Sequence, residues 1–369
     1  MNMPTITVST SPHLHSRHNT ASIMWNVSAA LLPAAAWGVF AFGWRALLVL
    51  AVSILAAALT EYLLGKVAHG FTLMDGSAVL TGLLVGMNMP PDVKVFVPIV
   101  ASVFAIAVVK WTFGGLGANW MNPALGGRVF VFFSFTSLMN TYRLPRFLMV
   151  ADAVGSATPL TAIKLNIADG AVRGLTSSQV LAQIGYPTTN FAQNASDWFE
   201  STVGIGLSPY TIDAFLGNAG GCIGEVSALL LIVGAIYLFI KKIITWQIPV
   251  MFLGTFSMLA WVFGGVRNGL GLFQGDFILQ LFTGGMMLGA FFMATDMVTS
   301  PTTSKGMIVF GAGIGFFTFL LRYFGSLPES VSLAIIIMNI FSPTIERFIL
   351  PKRFGEVVKV KKDKKEAKA

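Results

Sequence analysis

Ten apolar segments, each near the ~20 residues an α-helix needs to cross a bilayer core, constrain this chain more than any motif in it. They run over residues 22–42, 45–64, 74–90, 94–112, 122–140, 219–240, 246–265, 276–294, 306–324 and 330–349. Backbone in lipid has to satisfy its own hydrogen bonds, so such segments predict an all-α integral membrane protein. Charge content agrees. Only 11% of the 369 residues are charged, against roughly a quarter in soluble domains, too few to cover a water-facing surface.

Five segments precede a long polar interval and five follow it. An odd number per half sets the halves in opposite orientations, which predicts two inverted five-helix repeats. Faint echoes point the same way: Thr81-Gly82 with Gly82-x-x-x-Gly86 in the third segment, and Thr283-Gly284 with Gly285-x-x-x-Gly289 in the eighth. Each then runs into irregular sequence, Met89-Pro90-Pro91 in one case and the stretch from Asp296 to Thr303 in the other. Glycine pairs at this spacing serve plain helix packing equally well. The expected organisation is a polar N-terminal segment over 1–21, a first repeat over 22–140, a cap over 141–218, a second repeat over 219–349 and a basic tail over 350–369.

The net charge of +8 is concentrated in that tail, which carries Lys352, Arg353, Lys359, Lys361, Lys362, Lys364, Lys365 and Lys368. A basic run after a final apolar segment reads as a solvated cytoplasmic tail. With a single aromatic, Phe354, it lacks the interleaving that nucleic-acid binding needs. Counting loop charges puts Arg17, Lys66, Lys110, Lys241, Lys242 and Lys305 on the tail's side. Arg45, Lys94, Arg143, Arg146, Lys164, Arg173, Arg267 and Arg322 fall on the other. The short loops are balanced and the tail decides: both termini cytoplasmic, the cap extracytoplasmic.

No cleavable hydrophobic leader precedes the first segment. His13, His15 and His18 have no nearby carboxylate or cysteine and read as surface residues, with a weak metal site the alternative. Cys222, alone in the chain, excludes an internal disulfide and reads as a small packing residue.

Within the cap lies Asp152-Ala153-Val154-Gly155-Ser156-Ala157-Thr158-Pro159-Leu160. A threonine hydroxyl is a weak nucleophile and commonly a turn residue. Small neighbours leave Thr158 open, and Pro159 biases it toward extended backbone. Short helices are expected near Pro159–Lys164 and Ser177–Ile184. Lys164 and Arg173 could meet a phosphate there, or be solvated surface charges. Six acids flank the apolar segments. Asp75, Asp276 and Glu346 suit capping or interfacial positions, whereas Glu61, Glu225 and Asp296 are also candidates for an ion or proton route.

The stretch from Asp152 to Thr158 is similar to D-x-x-S/T-G-A-T, the pattern at which a flavin transferase joins FMN to threonine through a phosphoester. Gly155 and Ser156 stand in exchanged order, while Asp152, Ala157 and Thr158 match. Further stretches carry a wider resemblance: Ser11-Pro12-His13, Leu80-Thr81-Gly82-Leu83-Leu84, Gly114-Gly115-Leu116-Gly117, Asn122-Pro123-Ala124 and Leu288-Gly289-Ala290-Phe291-Phe292. Thr295-Asp296 with Ser300-Pro301-Thr302-Thr303, and Phe310-Gly311 with Arg322, complete the set, Met297 replacing a common proline. The chain thus resembles, almost end to end, the membrane flavoprotein family containing the D subunit of the Rnf complex and the B subunit of the sodium-translocating NADH:quinone reductase. The short segment before residue 22 favours the Rnf side.

The resemblance implies an inner-membrane complex moving electrons between ferredoxin and NAD, coupled to sodium or proton translocation. It also implies FMN on Thr158, a possible noncovalent riboflavin, and partner subunits carrying iron-sulfur clusters and other flavins. This subunit would be part of a translocase without turnover of its own. A quinone-reductase subunit, a passive solute channel with inverted repeats and a purely structural membrane subunit are the alternatives.

Overall fold

The computed structural model describes residues 19–68, 70, 72–148, 157–168, 174–204, 206–325 and 330–350. Among these the regular structure is helical, with no strand. Helix α1, Thr20–Phe42, begins where the Asn19 side chain accepts the Ser22 N–H at 2.7 Å and ends at Gly43, whose φ of 88° only glycine adopts readily. Helix α2 follows at once, Trp44–Val67. Leu47, Leu55, Leu59 and Leu63 lie exposed along it while Ala46, Val49, Leu50 and Ala57 are buried. An apolar face turned outward marks a helix whose solvent is lipid.

Helix α3, Ser77–Met87, is nearly all buried. A Cβ on Gly82 would sit 2.7 Å from Ile54 Cα and Ser53 O of α2, and one on Gly86 3.1 Å from Leu50 Cα. This first glycine pair is therefore a helix-packing seam. Helix α4, Phe96–Val103, continues in π-helical form to Trp111. Helix α5, Pro123–Ser134, is capped by the Asn122 side chain.

The later elements are α10 (Ala228–Ile240), α11 (Gln247–Phe263, followed by a 3-10 turn over Val266–Asn268), α12 (Phe277–Phe282), α13 (Met286–Leu288, running into a π-helical turn over Gly289–Met293), α14 (Ser304–Tyr323) and α15 (Val331–Phe348). Five helices, in α1, α2, α11 with its turn, α14 and α15, have the length and composition to cross a membrane. Shorter apolar helices occupy α3, α4, α5 and α10.

Three expected segments come out differently. The third is α-helical only over α3, preceded by a 3-10 turn over Leu73–Asp75. The sixth, expected from residue 219, is helical only from Ala228, because the backbone before it is bound to the end of α3: Gly224 N–H reaches Met87 O at 2.7 Å and Ile223 N–H reaches Met89 O at 3.1 Å. The eighth breaks in the middle, at Thr283-Gly284-Gly285, where both glycines have φ near the left-handed region at 67° and 69°. Gly285 is thus part of a chain break, unlike its expected counterpart in α3.

Between α5 and α10 stand α6 (Pro159–Ala168), α7 (Ser177–Gln183), α8 (Asn190–Val203) and α9 (Pro209–Leu216). The first two cover the helices expected there; α8 and α9 are additional. A capping box between Thr176 and Gln179 starts α7. Ala162, Ile163, Val180 and Leu181 form a small core of their own, which Leu279 of α12 enters. These helices meet the rest of the body at one end, where Trp37 Nε1–H donates to Gly217 O at 3.0 Å and Gly174 N–H to Asn268 O at 2.6 Å.

Candidate functional site

Thr158 sits at the N-terminus of α6 and is buried, 4% exposed. Its Oγ1 accepts the Thr161 N–H at 3.2 Å and lies 2.9 Å from Thr161 Oγ1. One turn of helix thus offers an amide, a second hydroxyl and the positive end of the helix dipole beside this oxygen, a donor set that fits a phosphoryl group. Ala157, the preceding residue, has its carbonyl bound by Tyr186 Oη–H at 3.4 Å. Burial pushes the Tyr186 phenol well above its ordinary range, so it stays a donor. Asp152, Ser156 and Arg173 lie outside the described residues.

Lys164 is on the same helix, with Nζ donating to Arg322 O at 3.3 Å. Arg322 is not a loop charge, as its place in the sequence suggests, but is 5% exposed. Its guanidinium donates to the carbonyls of Gln280 at 2.6 Å, Gly284 at 3.0 Å and Thr283 at 3.4 Å, and it lies over the Phe256 ring. The freed carbonyls at the end of α12 and along the break find their donor there. Arg267 donates to Tyr323 O. Burial, then the Arg267 and Arg322 charges, pull the Lys164 ammonium down to about 8.

A different arrangement occupies the opposite end. Glu61, on α2, is 1% exposed, as is Lys110 of the π-helical turn. Lys110 Nζ donates to Glu61 Oε1 at 2.8 Å and to Ser77 Oγ at 2.7 Å, while Trp111 Nε1–H donates to Glu61 Oε2 at 3.0 Å and Thr72 Oγ1–H to Oε1. Sequence position put Glu61 near a water-accessible segment end and Lys110 among loop charges. Packing of α3 over α2 instead closes both off. Lys110 also lines an apolar cavity of about 90 Å³, walled by Leu84 and Phe291 among others, with Asn119, Asn122 and Asp296 at its polar positions. Asp296 accepts Thr299 Oγ1–H at 3.2 Å and Val298 N–H at 3.3 Å.

Between these regions, Arg128 of α5 lies 3.6 Å from Glu225 Oε1, both buried. Arg128 also donates to Asn88 Oδ1 at 3.0 Å and to Ser332 Oγ, and approaches Cys222 Sγ at 3.7 Å. Cys222 is therefore buried beside a charged network. Glu225 is thus held apart from the other two, whereas Asp296 and Lys110, the partner of Glu61, border one cavity. Arg128 was not singled out by sequence reasoning, although a lone arginine inside an apolar segment is itself a signal. Asp276 caps α12 through Leu279 N–H at 3.4 Å and accepts Ser178 N–H at 3.2 Å; Glu346 accepts Thr302 N–H at 3.0 Å.

Keeping ionised groups paired inside a lipid-facing helical body is costly, and the chain is a multi-pass membrane protein of the kind that does so. It belongs to the NQR2, RnfD, RnfE family, whose model matches residues 7–355. The D subunit of the proton-translocating ferredoxin:NAD(+) oxidoreductase complex of Clostridium ljungdahlii is 42% identical, over 95% of this chain and 96% of that protein. Its counterpart in the Na(+)-translocating ferredoxin:NAD(+) oxidoreductase complex of Acetobacterium woodii is 39% identical over the full length of both. The D subunit of the ion-translocating oxidoreductase complex of Stutzerimonas stutzeri is 35% identical over 92% of this chain and 93% of that one.

Proposed function

We propose that this chain is the D-type membrane subunit of an ion-translocating ferredoxin:NAD oxidoreductase complex, carrying FMN esterified to Thr158. The observation that carries the flavin reading is the donor set around Thr158 Oγ1, on a helix N-terminus. Thr158 is the anchor, Thr161 presents its N–H and hydroxyl to phosphoryl oxygens, and Tyr186 fixes the Ala157 carbonyl beside them. Bound there, FMN supplies one- and two-electron redox chemistry, while the protein binds and orients it. Asp152, Ser156 and Ala157 complete the attachment motif for the flavin transferase, with Arg173 as a further phosphate contact; Lys164, the other cation expected there, instead lines a cleft on another face of α6.

The proposed setting is the bacterial inner membrane, with ten spans as two inverted repeats, both termini cytoplasmic, and α6 to α9 as an extracytoplasmic cap. Helix within each of the ten apolar segments, with the third short and the eighth interrupted, supports this reading. Other subunits of the complex, bearing iron-sulfur clusters and flavins, are the electron partners. Glu61, Glu225 and Asp296 are proposed for ion coupling, each held by buried or half-buried polar partners. A noncovalent riboflavin within the helical body is a further part of the proposal.

Intact denatured mass tests the central point. Material from cells expressing the transferase is expected to carry one FMN, visible as a fluorescent band on a denaturing gel and absent in Thr158→Val. An unmodified wild type would leave a passive channel or a structural subunit, which solute flux in liposomes tells apart.

A further inference from the structure

Three cations converge on a small cleft at the end where α6 meets α11 and α14: Lys164, Arg267 and Arg322, with Ser177, Asn268 and Tyr323 among its walls. Lys164 and Arg267 each donate to a backbone carbonyl, a partner that satisfies a hydrogen bond without cancelling a charge. Asp276, which acts on Tyr323 electrostatically, sets one negative charge against the three positive ones. The mouth of the cleft is therefore positive. Arg267 is exposed and Lys164 half-buried, so both can reach a ligand, whereas Arg322 is fixed behind them.

The cleft is separate from the Thr158 oxygen. Leu160, Ile163, Lys164 and Ile167 line it, the i, i+3, i+4, i+7 face of α6. Six residues of helix set Lys164 about 120° around the axis from Thr158. Exposed apolar residues neighbour the cleft's cations along the chain: Phe263 and Val266 precede Arg267 and Phe324 follows Tyr323, while Trp261 and Phe273, also exposed, pack edge-on at 5.2 Å. An exposed tryptophan at the end of a long apolar helix, as Trp261 is, suits the headgroup level of a bilayer. Basic residues set between helices at that depth recognise lipid phosphate.

We propose that this cleft holds the phosphodiester of an anionic phospholipid headgroup, contacted by Lys164 and Arg267, with Arg322 as the wall behind it. The site does not depend on the flavin reading.

Native mass spectrometry of the full-length protein, titrated with phosphatidylglycerol or phosphatidylcholine, tests it. Phosphatidylglycerol is expected to bind about tenfold more tightly, given the worth of one to two basic residues near a charged headgroup. Lys164→Gln with Arg267→Gln should bring the two lipids to parity, Lys164→Arg should keep the preference, and Thr158→Val should leave it unchanged. Equal retention by the wild type, or an undiminished preference in the double variant, overturns the site. Loss of preference in Thr158→Val would assign these cations to the flavin phosphate. Displacement of the lipid by millimolar inorganic phosphate would assign a free-anion site, and either outcome overturns the proposal. A second reading needs no variant: phosphatidylglycerol should raise the wild-type Tm above its value in phosphatidylcholine, and identical values would sink the idea.

Discussion

Lys110 and Arg322 are both cations buried near opposite ends of the same helical body, and their surroundings differ. Lys110 has a carboxylate at 2.8 Å, and a hydroxyl and an indole N–H complete that carboxylate's shell. Arg322 reaches the carbonyl dipoles of a broken helix. The first cluster is closed and locally neutral. At the second, dipoles answer the guanidinium's N–H groups, and its charge is still felt at Lys164, whose ammonium it helps to destabilise. A hydrogen-bonding requirement and a charge requirement are thus separable, and this chain meets them differently at its two ends.

The contrast can be broken most sharply at Glu61. Glu61→Ala leaves Lys110 without its carboxylate and should cost about 3–5 kcal/mol, whereas Glu61→Gln combined with Lys110→Met should be nearly neutral. Thermal unfolding in detergent measures both, and a similar loss in the two variants would show that the pair itself is net stabilising and that the stranded ammonium is not the main cost. Arg322→Gln should cost about 2–4 kcal/mol by stranding three carbonyls, with hydrogen exchange rising first across Phe277–Phe282. Uniform exchange along the chain would contradict the role given to that side chain. Gly284→Ala is expected to cost about 1–2 kcal/mol from its left-handed backbone alone, and more because its Cβ would meet Leu160 at 2.3 Å; the same unfolding measurement checks it.

The smallest effect is a pH dependence. In the folded state the Lys164 ammonium is pulled to about 8 from 10.5, so the unfolded chain binds more protons between those values and stability rises with pH across that window. The groups around it are Arg267, Arg322, Tyr323 and Asp276. In lipid-free detergent Lys164→Gln should therefore be the more stable form below pH 8, with the gap closing toward pH 10.5. A gap that widens with pH would show that Lys164 has an acidic partner.

How much of this could be read from the amino acids divides along physical lines. Long apolar runs announce helices in lipid, and Gly82 and Gly86 announce a tight seam, because both signals are local. The break at Thr283-Gly284-Gly285 was hidden, since two glycines in an apolar run look the same in a packed helix and in a turn. Lys110 and Arg322 look like loop charges in the sequence because each falls within a few residues of a segment end. Their burial depends on α3 covering α2 and on α12 stopping short, which are tertiary events. Thr158 stood out through its neighbours, yet the contribution of Thr161 became visible only once α6 placed one hydroxyl beside the other.

Leu279 lies at the far end of a chain of consequences. It belongs to α12, the half-helix that Arg322 tethers, and its side chain is lodged in the small core that supports α6. Any displacement of that half-helix drags the threonine-bearing helix with it, or else tears open a dry pocket. Motion of either helix is thus passed to the other through Leu279 in the small core and through the Asp276 carboxylate on the Ser178 N–H.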